Sequence, residues 1–144
     1  VTAMADHAVA LDRHDAGALD AISTRFVAMG AFLYAAECAA EASALHAAVG
    51  REAAALASQW RSEQVRSQCG PVRTPALLQT SMVLTEREAT IARLAASGVT
   101  SGEIAKRLGV SIRTVNNHLQ HVYDRIAIHD RDELAALLPP DDID

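Results

Sequence analysis

The chain has 144 residues, half of them hydrophobic and only 3% aromatic, with a formal net charge of −5. That length holds one ordinary domain or two small ones, with enough apolar content for a core. No run of about 18 apolar residues would form a membrane-spanning helix, no basic-then-apolar stretch reads as a secretion signal, and net acidity weighs against indiscriminate nucleic-acid binding.

Alanine dominates the first part of the chain, with 21 in residues 1–60 and 9 in residues 61–144. Alanine loses no side-chain entropy in a helix, and β-branched residues rarely alternate with polar ones here, so an all-α fold is expected. Residues 1–69 read as three or four alanine-rich helices, broken first by "HDAGALD" near Arg13 and then at Gly30 and Gly50. The stretches "FVAMGAFLYAAECAAEA" and "LHAAVGREAAALASQ" resemble each other weakly. Such a pattern suits either tetratricopeptide-like helix pairs, in which small residues permit close approach, or a plain helical bundle. Cys38 and Cys69 are too far apart for a CxxC pair and read as reduced packing thiols of a cytoplasmic protein.

"CGPVRTPALLQTSMV" ends this region. Gly70, Pro71 and Pro75 stop the preceding helix and push their neighbours toward extended geometry, so residues 70–83 are expected as a linker. Isoleucine, valine and leucine then replace alanine.

Residues 84–138 are punctuated as four helices. Thr85 with Glu88 and Thr100 with Glu103 have capping-box spacing. Gly98 and Gly109 close the two helices those boxes open. Ser111 caps a third, and Asp130 with Glu133 opens a fourth that Pro139 and Pro140 terminate. Ile91, Leu94, Ile104, Ala105, Leu108, Val115, Leu119, Val122, Ile126, Leu134 and Leu137 supply a core near the lower size limit for independent folding. Residues 139–144 form an acidic tail with Asp141, Asp142 and Asp144. Basic and acidic groups number 6 and 8 in residues 1–83 and seven each in residues 84–138. A neutral region can still bind nucleic acid if its cations cluster on one face, so their placement decides.

The short "LGVS" turn at 108–111 makes the second and third helices of this region cross steeply, with Gly109 suited to a left-handed cap. That arrangement projects the third helix outward, as helix-turn-helix units do. With "LTERE" at 84–88, "LAASGVTSGEIAKRLGVSIRTV" at 94–115, "NHL" at 117–119 and "RDELAALL" at 131–138, this region closely resembles the LuxR/FixJ/GerE-type DNA-binding domain. The resemblance implies that the third helix enters the major groove of double-stranded DNA. It also implies that the fourth helix mediates homodimerisation, for which Leu134, Leu137 and Leu138 are the candidates. Homologous domains commonly carry lysine after the "TV" pair, where this chain has Asn116, and favour a basic residue where it has Gln120. The alanine-rich region looks like the segment preceding this domain in large multidomain LuxR-type regulators. Because Val1 lies within helix-like sequence, the chain is expected to be the C-terminal part of such a protein, with upstream domains as partners.

At about 100° per residue, Val115, Leu119, Val122 and Ile126 share one stripe and read as core. Arg113, Asn117, Gln120 and Asp124 lie opposite, flanked by Asn116 and His121. Amides pair bidentately with adenine N6 and N7, which makes Asn116, Asn117 and Gln120 the candidate base contacts with a lean toward A·T pairs. Thr100, Ser101, Ser111 and Arg113, at two helix starts, are candidate phosphate contacts, joined by Thr114, His118, Lys106, Arg107 and Arg125.

His118, His121 and Asp124 have turn spacing, but no cysteine joins them and they read as DNA-facing or solvated; no metal and no cofactor are expected. The chain contains no P-loop and no GxSxG, and it reads as a non-enzyme. Two alternatives stay open: a protein-interaction module whose reading helix has lost DNA affinity, and a sigma-factor-like promoter reader.

Overall fold

The alanine-rich segments fold as α1 (Thr2–Asp12), α2 (Ala16–Ala28), α3 (Phe32–Ala48) and α4 (Glu52–Ser67) in a computed structural model that describes residues 2–78 and 83–139. The bonds that join these helices recur at an interval of 20 residues. Gly30, Gly50 and Gly70 end successive helices in the left-handed region, with φ of 72°, 75° and 74°, where a side chain would be strained. The Ala31 N–H donates to the Phe26 carbonyl at 2.9 Å, and the Arg51 N–H to that of His46 at 2.9 Å. Ser23 Oγ donates to the Ala35 carbonyl at 2.8 Å, and Ser43 Oγ to that of Ala55 at 2.7 Å. The repeating unit is thus one helix with its turn, shorter than the roughly 34-residue helix pair of a tetratricopeptide unit.

The central helix, α3, buries Ala35, Ala36, Cys38, Ala39, Ala40 and Ala42. Methyl side chains let neighbouring backbones approach closely enough for serine hydroxyls to reach carbonyls, as Ser62 Oγ does to Ala36 at 2.8 Å. Each such bond contributes about 1 kcal/mol net. The larger side chains come from α2 (Leu19, Ile22, Phe26), from Val65 on α4, and from Leu77 on α5 (Pro75–Leu78). Part of the stretch expected as a linker is therefore a helical turn whose Leu77 joins the core. Asp20 binds three side chains: His46 Nε2 at 2.9 Å, Ser58 Oγ at 2.7 Å and Arg61 Nη1 at 3.3 Å. This network joins α2 to α3 and α4, and partly buried ionic networks of this kind add little net stability.

The chain divides into two compact units, Val1–Val83 and Leu84–Asp144. In the second, α6 (Glu86–Ala96), α7 (Ser101–Leu108), α8 (Ile112–Ile126) and α9 (Arg131–Leu137) enclose Ile91, Ile104, Ala105, Val115, Leu119, Val122, Ile126, Leu134 and Leu138. Leu94, Leu108 and Leu137, expected in the core, are only half-buried. The expected caps each accept a backbone N–H: Thr85 from Glu88, Thr100 from Glu103, Ser111 from Thr114 and Asp130 from Glu133. Only Thr85 forms a reciprocal capping box, in which Glu88 Oε2 accepts the Thr85 N–H at 2.9 Å. Glu103 turns instead to Arg107, and Glu133 accepts from the His129 N–H.

The Thr85 backbone bond holds the Glu88 carboxyl below its ordinary pKa, against the effect of burial and assisted by the Thr85 hydroxyl, Arg125 and His118. Glu88 therefore stabilises this unit above the ordinary carboxylate range, and that contribution is lost as pH falls through the depressed value. Among the described residues both cysteines are free, and burial, aided by Glu41 and Glu37, pushes the Cys38 thiol up to about 12. No described helix is long and apolar enough to cross a membrane. Residues 79–82 of the expected linker and 140–144 of the expected tail lie outside the described residues.

Candidate nucleic-acid interface

The turn between α7 and α8 is set by Gly109, with φ 65° and ψ 37°, and by the Val110 N–H, which donates to the Ala105 carbonyl at 3.1 Å. Ala105 is buried, and its methyl lets the two helices meet at the crossing. Ser111 caps α8 twice over, since its Oγ accepts the Thr114 N–H at 3.0 Å and lies 2.9 Å from Thr114 Oγ1. Val115, Leu119, Val122 and Ile126 fix the rotation of α8 by burying one stripe. Arg113, Asn116, Asn117, Gln120 and His121 are consequently exposed.

The candidate base contacts differ in freedom. The side chains of Asn116 and Asn117 make no hydrogen bond among the described residues, whereas Gln120 Nε2 donates to Asp124 Oδ1 at 2.9 Å. That bond engages the amide nitrogen and leaves the carbonyl oxygen without a partner among the described residues. Ile112, 53% exposed at the first position of α8, adds an apolar surface beside the amides. Sequence reasoning passed it over, because an isoleucine just after a cap resembles a core residue.

The candidate phosphate contacts separate into four settings. The side chains of Lys106 and Arg113 are exposed and make no hydrogen bond or ion pair among the described residues. Thr100 and Ser111 are occupied as caps, Thr114 Oγ1 lies 2.9 Å from Ser111 Oγ, and Arg107 pairs with Glu103 at 3.4 Å. His118 is half-buried, and both it and Arg125 help hold the Glu88 carboxyl down, so part of the Arg125 charge is compensated within the unit.

Ser101 is held by a residue not among those candidates. Arg131 Nη2 donates to Ser101 Oγ at 2.9 Å, and its Nη1 donates to the Val99 carbonyl. Burial pushes the Tyr123 phenol above its ordinary pKa, Arg131 counters this and Asp130 reinforces it, which puts Tyr123 beside the same group. The sequence carried a signal for Arg131: a cation at the first position of a helix opposes the helix dipole and needs a partner elsewhere. The three leucines assigned to dimerisation are also unequal. Leu134 and Leu138 are 0% and 2% exposed within a single chain, and Leu137 alone stays half-exposed.

Residues 82–138 match the family described as bacterial regulatory proteins of the luxR family. Over 83 residues the chain is 40% identical to a protein of Mycobacterium bovis and to proteins of two Mycobacterium tuberculosis strains, all named as HTH-type transcriptional regulators. The aligned stretch is 58% of this chain and 8% of each of those relatives, so the chain spans less than a tenth of their length. No solved structure shows a significant match. The match coincides with the four capped helices and the outward-facing α8, and residues 82–138 are a helix-turn-helix domain of the LuxR family of bacterial regulatory proteins.

Proposed function

We propose that this domain binds double-stranded DNA sequence-specifically as the output of a transcription regulator, with α8 in the major groove. The carrying observation is the division of α8 into a buried stripe and an exposed face bearing Arg113, Asn116, Asn117 and Gln120. Asn116 and Asn117 read adenine through N6 and N7, and Ile112 packs on a thymine methyl. Gln120, with its amide nitrogen directed to Asp124, offers its carbonyl oxygen to an amino group on a base edge. Lys106 and Arg113 supply the direct phosphate charge, and the exposed N–H groups at the starts of α7 and α8 add dipolar contacts.

A second copy of the domain docks through α9 in this reading, so that two α8 helices address half-sites about 34–36 Å apart. Leu134 and Leu138 already serve the core, so the interface draws on Leu137 and the exposed side of α9. A selection from randomised duplexes tests the proposal: an A·T-leaning half-site should emerge. Gln120→Ala should relax preference at one position and cost about 1–3 kcal/mol. Indifference of binding to every base change would remove sequence reading and leave the protein-interaction alternative.

A further inference from the structure

In the first unit, helices far apart in sequence bring three different metal-binding side chains together. His7 on α1 and Cys38 and Glu41 on α3 have donor atoms that all lie within 4.8 Å of one another. His7 Nε2 stands 2.7 Å from Glu41 Oε2, across 34 positions of chain. Cys38 and Glu41 are three apart on one helix and share a face. Phe26 meets the His7 ring edge-on at a centroid distance of 6.5 Å, which limits its rotation.

We propose that His7, Cys38 and Glu41 form a binding site for a borderline-soft divalent cation of the zinc type, which would tie α1 to α3. The donor set is one nitrogen, one sulfur and one oxygen, which is within the range zinc accepts. Bonds of about 2.0–2.3 Å in a tetrahedron set donor atoms roughly 3.3–3.8 Å apart. The His7–Glu41 pair must therefore open by under about 1 Å, and the wider pairs close by a similar amount. A thiolate, a carboxylate and a neutral imidazole carry two negative charges, which balance a divalent ion and leave a neutral site suited to its partial burial.

Cys38 is fully buried, but the side chains of His7 and Glu41 are 15% and 19% exposed, giving the ion an entry path and a fourth position for water. Binding would form metal–sulfur, metal–nitrogen and metal–oxygen bonds and release the Cys38 thiol proton to solvent. The sequence offered no sign of this site, because only the packing of α1 near α3 assembles it.

Cobalt(II) titration of the full chain under reducing conditions tests the site, with cobalt as the spectroscopic probe for zinc. The expected result is a near-ultraviolet thiolate-to-cobalt band with the intense visible bands of tetrahedral coordination. Cys38→Ser should abolish the near-ultraviolet band, Cys69→Ser should keep it, and His7→Gln or Glu41→Gln should weaken binding at least tenfold. Helix content is checked for each variant by circular dichroism. If Cys38→Ser does not fold, the less buried His7 decides, and unchanged affinity in His7→Gln overturns the proposal. Absence of a thiolate band in the wild-type chain, or its survival in folded Cys38→Ser, overturns it as well.

Discussion

Replacing Leu134 by alanine should unfold the LuxR-type domain at ambient temperature rather than merely separate a dimer. Leu134 is 0% exposed within one chain and anchors α9 to the remaining helices. A buried leucine-to-alanine change costs about 2–5 kcal/mol. A single core in a unit this small rarely supplies more than about 3–5 kcal/mol in total. The loss is therefore comparable to the whole stability, and DNA binding should vanish with it. Denaturant melts at several protein concentrations check the result. A core role lowers the midpoint of the second unit equally at every concentration. If instead the midpoint holds and only the oligomeric state changes, Leu134 belongs to an interface between copies.

The second large effect should come from adding the cation that this reading helix lacks. Asn116 is exposed, its side chain has no hydrogen bond among the described residues, and it lies one turn into α8. On duplexes that lack the preferred half-site, where the Asn116 amide has no adenine to read, a lysine there neutralises one more phosphate and releases its counterion. The slope of log K against log salt should steepen by about 0.9, which at ~0.1 M salt corresponds to roughly tenfold tighter binding. Binding isotherms of the wild-type chain and Asn116→Lys over a salt series give both quantities. Equal slopes for the two proteins would mean that this face of α8 does not approach the DNA backbone.

The second unit was the more legible in sequence, and the reason is local. Thr85, Thr100, Ser111 and Asp130 satisfy N–H groups only three residues away, so cap, spacing and helix start can be read together. The period of Val115, Leu119, Val122 and Ile126 then fixes which side of α8 faces outward. What sequence could not supply was the state of each polar group. Nothing local says that Gln120 is drawn to Asp124, that His118 and Arg125 face Glu88, or that Arg131 crosses to Val99 and Ser101. Those depend on helices meeting across the fold.

In the first unit the helices were legible from alanine content and a weak likeness between the stretches around Gly30 and Gly50 was visible, yet the 20-residue unit was not. Its period lies in left-handed glycines and in serine-to-carbonyl bonds, which occupy few positions. The side chains between them vary from Phe26 to His46 to Arg66 at corresponding places. The Asp20 network and the His7–Cys38–Glu41 group were hidden for the same reason.

The alanine-built core has a calorimetric consequence. Heat capacity rises on unfolding in proportion to the apolar surface newly wetted, at about 12–15 cal/mol/K per residue for ordinary domains. A core that contains Ala35, Ala36, Ala39, Ala40 and Ala42 at its centre and relies on hydroxyl-to-carbonyl bonds exposes less such surface per residue. The first unit should fall below the ordinary range, and a calorimetric value within or above it would contradict this. A smaller heat capacity flattens the dependence of stability on temperature. The helical array would then resist cold and heat more evenly than the leucine- and isoleucine-filled domain that follows it.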